Sequence, residues 1–327
     1  MSPIEGHSGL VSVIVPVYGS EQILPHTYER LSGILSALPD LDYEIVFVND
    51  GSPDGALYVL RSLASADPKV KVISLSRNFG HQVAISAGLD AATGDAVVVI
   101  DDDLQDPPEV IAEMVALWRE GYEVVYGQRT ERKGEGSFKR ASASVFYRFL
   151  SWLSDTPLPL DTGDFRLMDR RAANALRSMR EESRYVRGMV AWTGFRQTPL
   201  PYSRDPRHSG RSNYNLKRLL GLAYDGIVSF SSKPLVLAGR FGALVTLLAF
   251  IYSAALVTEK LMNPATLLEG WTSVVVIVMF LGGVQLMSIG LLGAYLSRIF
   301  YETKRRPLYL VSETHNLSED FDPIGRA

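Results

Sequence analysis

The 327-residue chain contains no cysteine. It therefore forms no disulfide, holds no thiolate-bound metal and has no cysteine nucleophile. It also lacks an excess of basic charge, because 33 lysines and arginines face 36 aspartates and glutamates. This balance gives no indication of nucleic-acid binding. Residues 1–9 lack the basic and then apolar pattern of a secretory signal peptide.

Strands and helices alternate through the first part of the chain. Strands are predicted from β-branched runs and helices from the spacing of apolar residues. The predicted strands are 10–17, 43–48, 70–75, 96–100 and 123–127. The predicted helices are 20–38, 54–66, 82–92 and 109–120. This alternation is typical of an α/β, Rossmann-like domain with a mostly parallel sheet. No G-x-G-x-x-G follows the first strand, which disfavours the usual dinucleotide-binding site.

Two uncharged stretches, Phe241–Thr258 and Trp271–Ser297, lie near the C-terminus. A bilayer core of about 30 Å needs about 20 apolar residues in a helix, so both stretches are candidate membrane spans. Buried core helices are the alternative, but both stretches are apolar on all faces. Lys260 is the only basic residue in the loop between them, so the positive-inside rule predicts that both outer ends lie in the cytoplasm. The flanking basic residues are Lys233, Arg240, Arg298, Lys304, Arg305 and Arg306.

The predicted organisation has four segments, in a multi-pass protein of the inner (plasma) membrane. Residues 1–215 form a cytoplasmic catalytic domain and residues 216–234 an amphipathic juxtamembrane segment. A helix packed on the core is the alternative for the second segment. Residues 235–300 form a two-helix transmembrane hairpin, and residues 301–327 form a cytoplasmic tail. Small residues in the hairpin offer surfaces for close helix packing in a homo-oligomer, namely Gly282, Gly283, Gly290 and Gly293.

Three consecutive aspartates, Asp101, Asp102 and Asp103, follow the fourth predicted strand. In open α/β sheets, ligands bind beyond the carboxyl ends of the strands. Three adjacent carboxylates repel one another unless a cation joins them, and a hard divalent ion with oxygen ligands serves this purpose. Side-chain alternation puts Asp101 and Asp103 on one side, where Gln105 adds a neutral oxygen. The alternative is an acidic, solvated turn.

Five ordered motifs resemble glycosyltransferase family 2, whose catalytic domain has the GT-A fold. The motifs are VSVIVPVY (11–18), VNDGS (48–52), RNFGHQ (77–82), DDDLQDPPE (101–109) and GDFRLM (163–168). Within that family the chain is most similar to polyprenyl-phosphate glycosyltransferases. These include the dolichyl-phosphate mannose synthases and the bacterial bactoprenol glucosyltransferases. The similarity covers about residues 10–305, including both apolar stretches.

The resemblance implies a site for a nucleotide sugar and a divalent metal, Mg²⁺ or Mn²⁺. Asp103 and Gln105 match the metal ligands, and Asp103 is thereby also a catalytic residue. Asp102 departs from the small residue common in this motif, and its side chain is expected to point away. The positions that match nucleotide-binding residues are Pro16, Tyr18, Asp50, Ser52, Asn78, His81 and Asp101. For residues 77–81 the alternative is a structural loop.

Asp164 matches the position usually assigned to the catalytic base. A phosphate monoester has a second pKa near ~6, so the phosphate of a polyprenyl-phosphate acceptor is already largely anionic at neutral pH. Two roles for Asp164 therefore stay open, a true base or a residue that orients the acceptor or the metal shell.

The resemblance also implies a pocket for the lipid phosphate. Its matching residues are Arg129, Arg140, Ser144, Arg207 and Ser212. Arginine suits such a pocket because its planar fork binds phosphate oxygens bidentately. For each of these arginines taken singly, the alternative is an ordinary surface arginine.

The expected function is inverting transfer of a hexose to a polyprenyl phosphate, with release of a nucleoside diphosphate. Undecaprenyl phosphate and UDP-glucose are the preferred substrates, and a GDP-mannose-dependent mannosyltransferase is the alternative. The chain has no Q-x-x-R-W motif, which argues against a processive cellulose- or chitin-type synthase. Two other classes of protein are the remaining alternatives, an inactive membrane scaffold and a nucleotidyltransferase. Release of nucleoside diphosphate rather than pyrophosphate distinguishes a glycosyltransferase from the latter.

Overall fold

The computed structural model describes residues 9–130, 162–182, 184–204, 233–262, 270–318, 321–322 and 324–325. These residues belong to two compact units. The first contains the described residues before position 205 together with those after position 304. The second contains residues 233–262 and 270–304.

An eight-stranded sheet forms the centre of the first unit in the described part of the chain. Its strands are β1 (Gly9–Val17), β2 (Leu41–Asn49), β3 (Val70–Leu75), β4 (Ala96–Val99), β5 (Val124–Arg129), β6 (Thr162–Asp169), β7 (Gln197–Tyr202) and β8 (Val311–His315). They lie in the order β7-β5-β6-β4-β1-β2-β3-β8. Strand β1 pairs in parallel with β2 and β4, β2 with β3, and β5 with β7. Strands β6 and β8 run antiparallel to their neighbours. The sheet is mostly parallel, as predicted.

Helices cover both faces of this sheet. They are α1 (Leu24–Ser36), α2 (Ala56–Ala66), α3 (His81–Ala91), α4 (Val110–Arg119), α5 (Arg170–Ser178) and α6 (Val186–Trp192). Successive residues of a strand point to opposite faces, so Val13 belongs to the core cluster that contains residues of α1, α2 and α4, whereas its neighbour Ile14 belongs to the cluster that contains residues of α3, α5 and α6. Burial on both faces explains why β1 and β2 are nearly continuous apolar runs.

The elements predicted from residue 10 to residue 129 are all present, with ends that differ by a few residues. Helix α1 is shorter than predicted, since it begins at Leu24 with Pro25 in its first turn and ends at Ser36. Residues 162–169 were identified only as a site motif, but they form β6 between β4 and β5. Strands β7 and β8 and helices α5 and α6 were not predicted.

The C-terminal segment is part of the catalytic sheet. Strand β8 pairs with β3, and the side-chain amide of Asn316 donates hydrogen bonds to the carbonyls of Ala64 (2.7 Å) and Val70 (2.9 Å). Arg61 forms a two-pronged ion pair with Glu313 on β8. The tail therefore closes one edge of the sheet.

The second unit contains two long apolar helices, α7 (Lys233–Met262) and α8 (Trp271–Thr303). Their apolar windows, Leu235–Tyr252 and Ile277–Thr303, each have a mean hydropathy of 2.0, and none of either window is buried. By length and composition both helices are able to cross a membrane, as the sequence predicted. They indicate membrane association. The predicted amphipathic segment 216–234 lies, apart from its last two residues, outside the described residues, and the four-segment organisation stays a prediction.

Candidate active site

The candidate site lies at one rim of the sheet, beyond the carboxyl ends of β1, β2 and β4. Because β6 is antiparallel to β4, with Arg166 opposite Val99, the first residues of β6 arrive at the same rim. The rim thus brings together the acidic turn, here residues 100–106, and the motif that contains Asp164. These two regions are separated by more than fifty residues of chain.

The acidic turn has an unusual backbone at Leu104. Its φ of +53° lies in the left-handed region, which is uncommon for a bulky side chain. The side chain is 1% exposed, so burial holds the residue in this conformation. The backbone amide of Gln105 donates a 3.1 Å hydrogen bond to Oδ1 of Asp103, which fixes the turn around the two predicted metal ligands.

Several buried polar atoms of the acidic turn have no hydrogen-bond partner among the described residues. They are Oδ1 of Asp101, Oδ2 of Asp102, Nε2 of Gln105 and Oδ2 of Asp106. Such atoms are costly to bury without a partner. Burial also raises the pKa of Asp101 and of Asp102 to about 6 each. The turn is therefore short of positive charge, and its oxygen-rich donor set fits a hard divalent cation.

The acidic side chains of the turn are not arranged around a common point. Within the described residues, no group of three or more histidine or carboxylate side chains is arranged to hold a metal ion. Neighbouring aspartates face different segments of the chain. Oδ1 of Asp101 lies 3.5 Å from Nε2 of His81. Asp102 instead accepts hydrogen bonds from the side chain of Ser20 and the backbone of Tyr18, and these bonds oppose the rise in its pKa. Asp101 and Asp102 therefore contact different segments of the rim.

Asp164 is 6% exposed and is surrounded by donors. Arg187 donates from Nε to Oδ1 (2.9 Å) and from Nη2 to Oδ2 (3.1 Å). Gln82 donates from Nε2 to Oδ2 (3.2 Å), and Nε2 of His81 lies 3.3 Å from the same oxygen. Burial alone would raise the pKa of Asp164, but the hydrogen bonds from His81 and Arg187 and the Arg187 charge hold it well below its usual range. Asp164 is therefore an ionised carboxylate.

His81 connects Asp164 with the acidic turn. Burial acts to lower its pKa, but the hydrogen bond to Asp164 and the negative charges of Asp101 and Asp164 prevail and raise it. Arg166, which is fully buried behind Asp164, donates to the carbonyls of Gly163 (2.9 Å) and Asp164 (3.3 Å). Burial lowers the pKa of Arg166 to about 10. These contacts fix the backbone at the start of β6.

The loops that follow β2 and β3 are bound to each other through Asp50. Its oxygens accept hydrogen bonds from the backbone amides of Phe79 (2.7 Å) and Gly80 (2.9 Å). Burial raises the pKa of Asp50 despite these bonds. Gly51 has a φ of +63°, and a Cβ there would lie 2.5 Å from the carbonyl carbon of Arg77. Asp50 and Gly51 thus determine the shape of the loop that contains His81.

The other predicted nucleotide-binding residues differ in exposure. Tyr18 is 54% exposed and Asn78 is also exposed, so both residues are accessible at the rim. Pro16 is buried at the end of β1. Ser52 is half-buried, and its Oγ accepts a 3.2 Å hydrogen bond from the backbone amide of Gly19. The structure therefore brings these residues to one rim.

Arg129 lies beside the Asp164 motif at the end of β5. A Cβ on Gly163 would lie 2.7 Å from Nη2 of Arg129, so the guanidinium packs directly on that glycine. The same Nη2 is 3.9 Å from Oδ2 of Asp106, and Nε donates a 3.4 Å hydrogen bond to the hydroxyl of Tyr202. The other residues predicted for the lipid-phosphate pocket, Arg140, Ser144, Arg207 and Ser212, lie outside the described residues.

Sequence analysis did not identify several residues of the site. Tyr202 and Arg204 donate to Oδ1 of Asp106 at 2.5 Å and 3.0 Å. Gln82 and Arg187 bind Asp164 directly. One signal was available for Arg187, which is the only charged residue in the run Tyr185–Trp192. A lone charge in an apolar run needs an opposite charge nearby when the run is buried.

Comparison with known proteins defines the class. The sequence model of glycosyl transferase family 2 matches residues 12–177, and the chain belongs to this family. It is a glycosyltransferase with a GT-A catalytic domain, as the motifs predicted.

Individual relatives match nearly the whole chain. An uncharacterized glycosyltransferase, YkcC of Bacillus subtilis (strain 168), is 47% identical over 306 residues, which is 94% of each chain. The uncharacterized glycosyltransferase sll0501 of Synechocystis is 43% identical over 94% of this chain and 96% of its own. The bactoprenol glucosyl transferase of Shigella phage SfII is 38% identical over 93% of this chain and 98% of its own. Among solved structures, the mannosyl-3-phosphoglycerate synthase from Rubrobacter xylanophilus matches with a TM-score of 0.49 and 20% identity, covering 71% of this chain and 75% of its own.

Proposed function

We propose that this enzyme transfers a hexose from a nucleotide sugar to a polyprenyl phosphate at the cytoplasmic face of a membrane. UDP-glucose and undecaprenyl phosphate are the preferred substrates. The observation that carries the proposal is the similarity to bactoprenol glucosyl transferases, which extends over 93% of this chain and so includes the two apolar helices. A soluble sugar acceptor would give no reason for those helices.

The acidic turn is the proposed metal site, with Asp103 and Gln105 as ligands and Asp101 on the nucleotide side. The buried carboxylate oxygens of Asp101, Asp102 and Asp106 that accept no hydrogen bond from the described residues support a cation at this turn. A bound Mg²⁺ or Mn²⁺ supplies positive charge against which a nucleoside diphosphate can depart. The proposed nucleotide contacts are Pro16, Tyr18, Asp50, Ser52, Asn78 and His81.

The proposed acceptor site is on the Asp164 side of the rim. An oxygen of the lipid phosphate forms a bond to the anomeric carbon while the bond from that carbon to the diphosphate oxygen breaks. The bonding electron pair leaves with the nucleoside diphosphate. Because the attacking oxygen approaches from the face opposite the leaving group, the anomeric centre is inverted. Arg129 packs on Gly163, the residue before Asp164, and is suited to bind the attacking phosphate. Arg140, Ser144, Arg207 and Ser212 complete the proposed pocket.

The pairing of β8 supports a hairpin topology. The chain leaves the catalytic unit before Lys233 and has returned to the same sheet by Val311. The segment between these points therefore crosses any membrane an even number of times. With basic residues at both outer ends of α7 and α8, the positive-inside rule places the catalytic unit in the cytoplasm.

The test is a donor screen with full-length protein in detergent or in nanodiscs. Radiolabelled UDP-glucose, other UDP-sugars and GDP-mannose are each offered with undecaprenyl phosphate and Mg²⁺ or Mn²⁺. We expect a labelled lipid and UDP from UDP-glucose. If only GDP-mannose gives a labelled lipid, GDP-mannose is the donor in place of UDP-glucose. No labelled lipid from any donor, or release of pyrophosphate, would overturn the proposal.

A further inference from the structure

The carboxylate of Asp164 has donors on both of its oxygens. A carboxylate has about four lone-pair positions. Arg187 occupies one on each oxygen, while Gln82 donates to Oδ2 and His81 also lies beside it. A general base needs a lone pair directed at the proton that it removes. Oδ2 of Asp164 is surrounded by protein donors and Oδ1 accepts from Arg187, and with 6% exposure the carboxylate has little contact with solvent.

The donors themselves are held in place by neighbouring elements. Gln82, in the first turn of α3, accepts a 2.9 Å hydrogen bond from the backbone amide of Val186, the first residue of α6. Arg187 is the next residue of α6. Arg166 fixes the carbonyls of Gly163 and Asp164. One carboxylate therefore joins β6, α3 and α6 in a defined geometry.

Arg187 is more exposed than its partner. Its side chain is 35% exposed against 6% for Asp164, and the Asp164 oxygens engage only its Nε and Nη2. Nη1 has no hydrogen-bond acceptor assigned among the described residues. A half-exposed guanidinium that a buried carboxylate holds through Nε and Nη2 keeps the N–H groups of Nη1 for a further ligand. Phosphate oxygens are its best-matched ligands.

We propose that Arg187 binds a phosphate group of a substrate, and that Asp164 is the fixed carboxylate that orients Arg187 rather than a proton acceptor. The inference rests on the proposed transfer to a lipid phosphate, whose oxygen is already anionic. The phosphate bound is that of the lipid acceptor or that of the nucleotide sugar. These two sources share the same chemistry and are separated by the test.

The test compares steady-state kinetics of Arg187→Ala, Arg187→Lys and Asp164→Asn with those of the wild type, varying each substrate in turn. A hydrogen-bonded charge contact is lost in Arg187→Ala, so we expect the KM of one phosphate substrate to rise about 10- to 100-fold. A rise for undecaprenyl phosphate assigns the acceptor, and a rise for UDP-glucose assigns the donor. Arg187→Lys keeps the charge without the fork and should recover part of the loss. Added guanidinium should partly lower the KM of that same substrate in Arg187→Ala, and the effect on one KM alone separates phosphate binding from a merely structural role.

Asp164 is distinguished by a double-mutant cycle. If it acts through Arg187, the double variant Asp164→Asn/Arg187→Ala is no worse than Arg187→Ala, since both changes remove the same interaction. A proton acceptor behaves differently, with kcat of Asp164→Asn falling about 10²- to 10⁴-fold, an altered acid limb in its pH profile, and losses that add to those of Arg187→Ala. That result would overturn the assignment of Asp164.

The matched control is Arg171→Ala. Arg171 is 69% exposed and pairs with Glu123 away from the rim, so its removal should leave both KM values unchanged. Unchanged KM values in a folded Arg187→Ala would overturn the phosphate-binding role. If Arg187→Ala does not fold, Arg187→Gln gives the same decision, because it removes the charge while keeping most of the side-chain volume, and unchanged KM values there would also overturn the phosphate-binding role. A wild-type protein that makes no lipid-linked sugar would instead overturn the proposed function, and this inference with it.

Discussion

The hydroxyl of Tyr309 donates a 2.8 Å hydrogen bond to Asp90, which joins the C-terminal segment to the last turn of α3. Tyr309 is completely buried, and Arg180 binds the same carboxylate through two hydrogen bonds of 2.8 Å and 2.9 Å. The first turn of α3 contains His81 and Gln82, which contact Asp164. The segment that follows the second apolar helix is therefore attached to an element of the active site.

Substitutions at Tyr309 should separate the hydrogen bond from the packing. Tyr309→Phe leaves Asp90 with its Arg180 partner, so we expect the free energy of unfolding to fall by about 1 kcal/mol. Tyr309→Ala also leaves a cavity and should cost about 3–5 kcal/mol. Chemical denaturation of the purified protein measures both values. Tyr58→Ala is the control, because Tyr58 is 74% exposed and its loss should change stability by less than about 0.5 kcal/mol. Equal effects at the two tyrosines would contradict the packing role.

Gly51 is the second test, because it holds the loops after β2 and β3 in contact. Gly51→Ala places a Cβ 2.5 Å from the Arg77 backbone and forces an L side chain into a φ of +63°. We expect a loss of about 1–3 kcal/mol in stability and a higher KM for the nucleotide sugar, because the loop before His81 must shift. Gly33→Ala is a matched control, since Gly33 lies in α1 with open space around its Cα. Alanine there should be neutral or stabilising by about 0.5–1 kcal/mol.

Sequence analysis predicted the elements whose signal is local. Strands β1 to β4 are apolar runs buried on both faces, and their order with helices is visible without tertiary information. Strand β8, Val311–His315, contains one aliphatic residue and is polar otherwise. Its stability comes from pairing with β3, more than two hundred residues earlier in the chain, so no local pattern marks it.

The same distinction applies to the site. The acidic turn was predicted because its residues are adjacent in sequence and follow a buried strand. The contact between Asp164 and Arg187 depends on how α6 packs beside β6. The hydrogen bond from the backbone amide of Val186 to the side chain of Gln82 likewise joins two residues that are 104 positions apart. Such contacts follow from the tertiary arrangement and are not visible in residue spacing.

Glu44 gives a pH-dependent stability that is independent of the active site. It is 3% exposed and accepts hydrogen bonds from Ser12 (2.5 Å) and from the backbone and hydroxyl of Thr93 (2.6 Å and 2.8 Å), besides an ion pair with Lys71. Burial acts to raise its pKa, but Lys71, Ser12 and Thr93 together lower it. A carboxyl group whose pKa is lower in the folded state stabilises the fold above its unfolded pKa of about 4.3. This contribution is lost as the pH falls below that value.

We therefore expect the wild type to lose stability on acidification more steeply than Glu44→Gln. Glu44→Gln should be less stable at pH 7, because it leaves Lys71 without its charged partner, and the difference from the wild type should shrink as the pH falls from about 5 toward 3. Denaturation midpoints measured across this range provide the test. Glu29→Gln is the control, since Glu29 is exposed on α1 and should not change the slope. A constant difference between wild type and Glu44→Gln at all pH values would refute the assignment.

The acidic turn should trade stability for activity. Without a metal ion, the carboxylates of Asp101, Asp102 and Asp103 repel one another in a half-buried turn, so Asp103→Ala should raise the thermal midpoint of metal-free protein. With Mg²⁺ or Mn²⁺ and UDP the order should reverse, because ligands that bind only the folded state stabilise the wild type. Sugar transfer should be lost in Asp103→Ala and in wild type treated with EDTA. Glu113→Ala on the exposed face of α4 removes one negative charge elsewhere and should leave metal dependence intact. Full activity in EDTA would refute the metal dependence, and a metal-dependent midpoint that persists in Asp103→Ala would place the cation elsewhere.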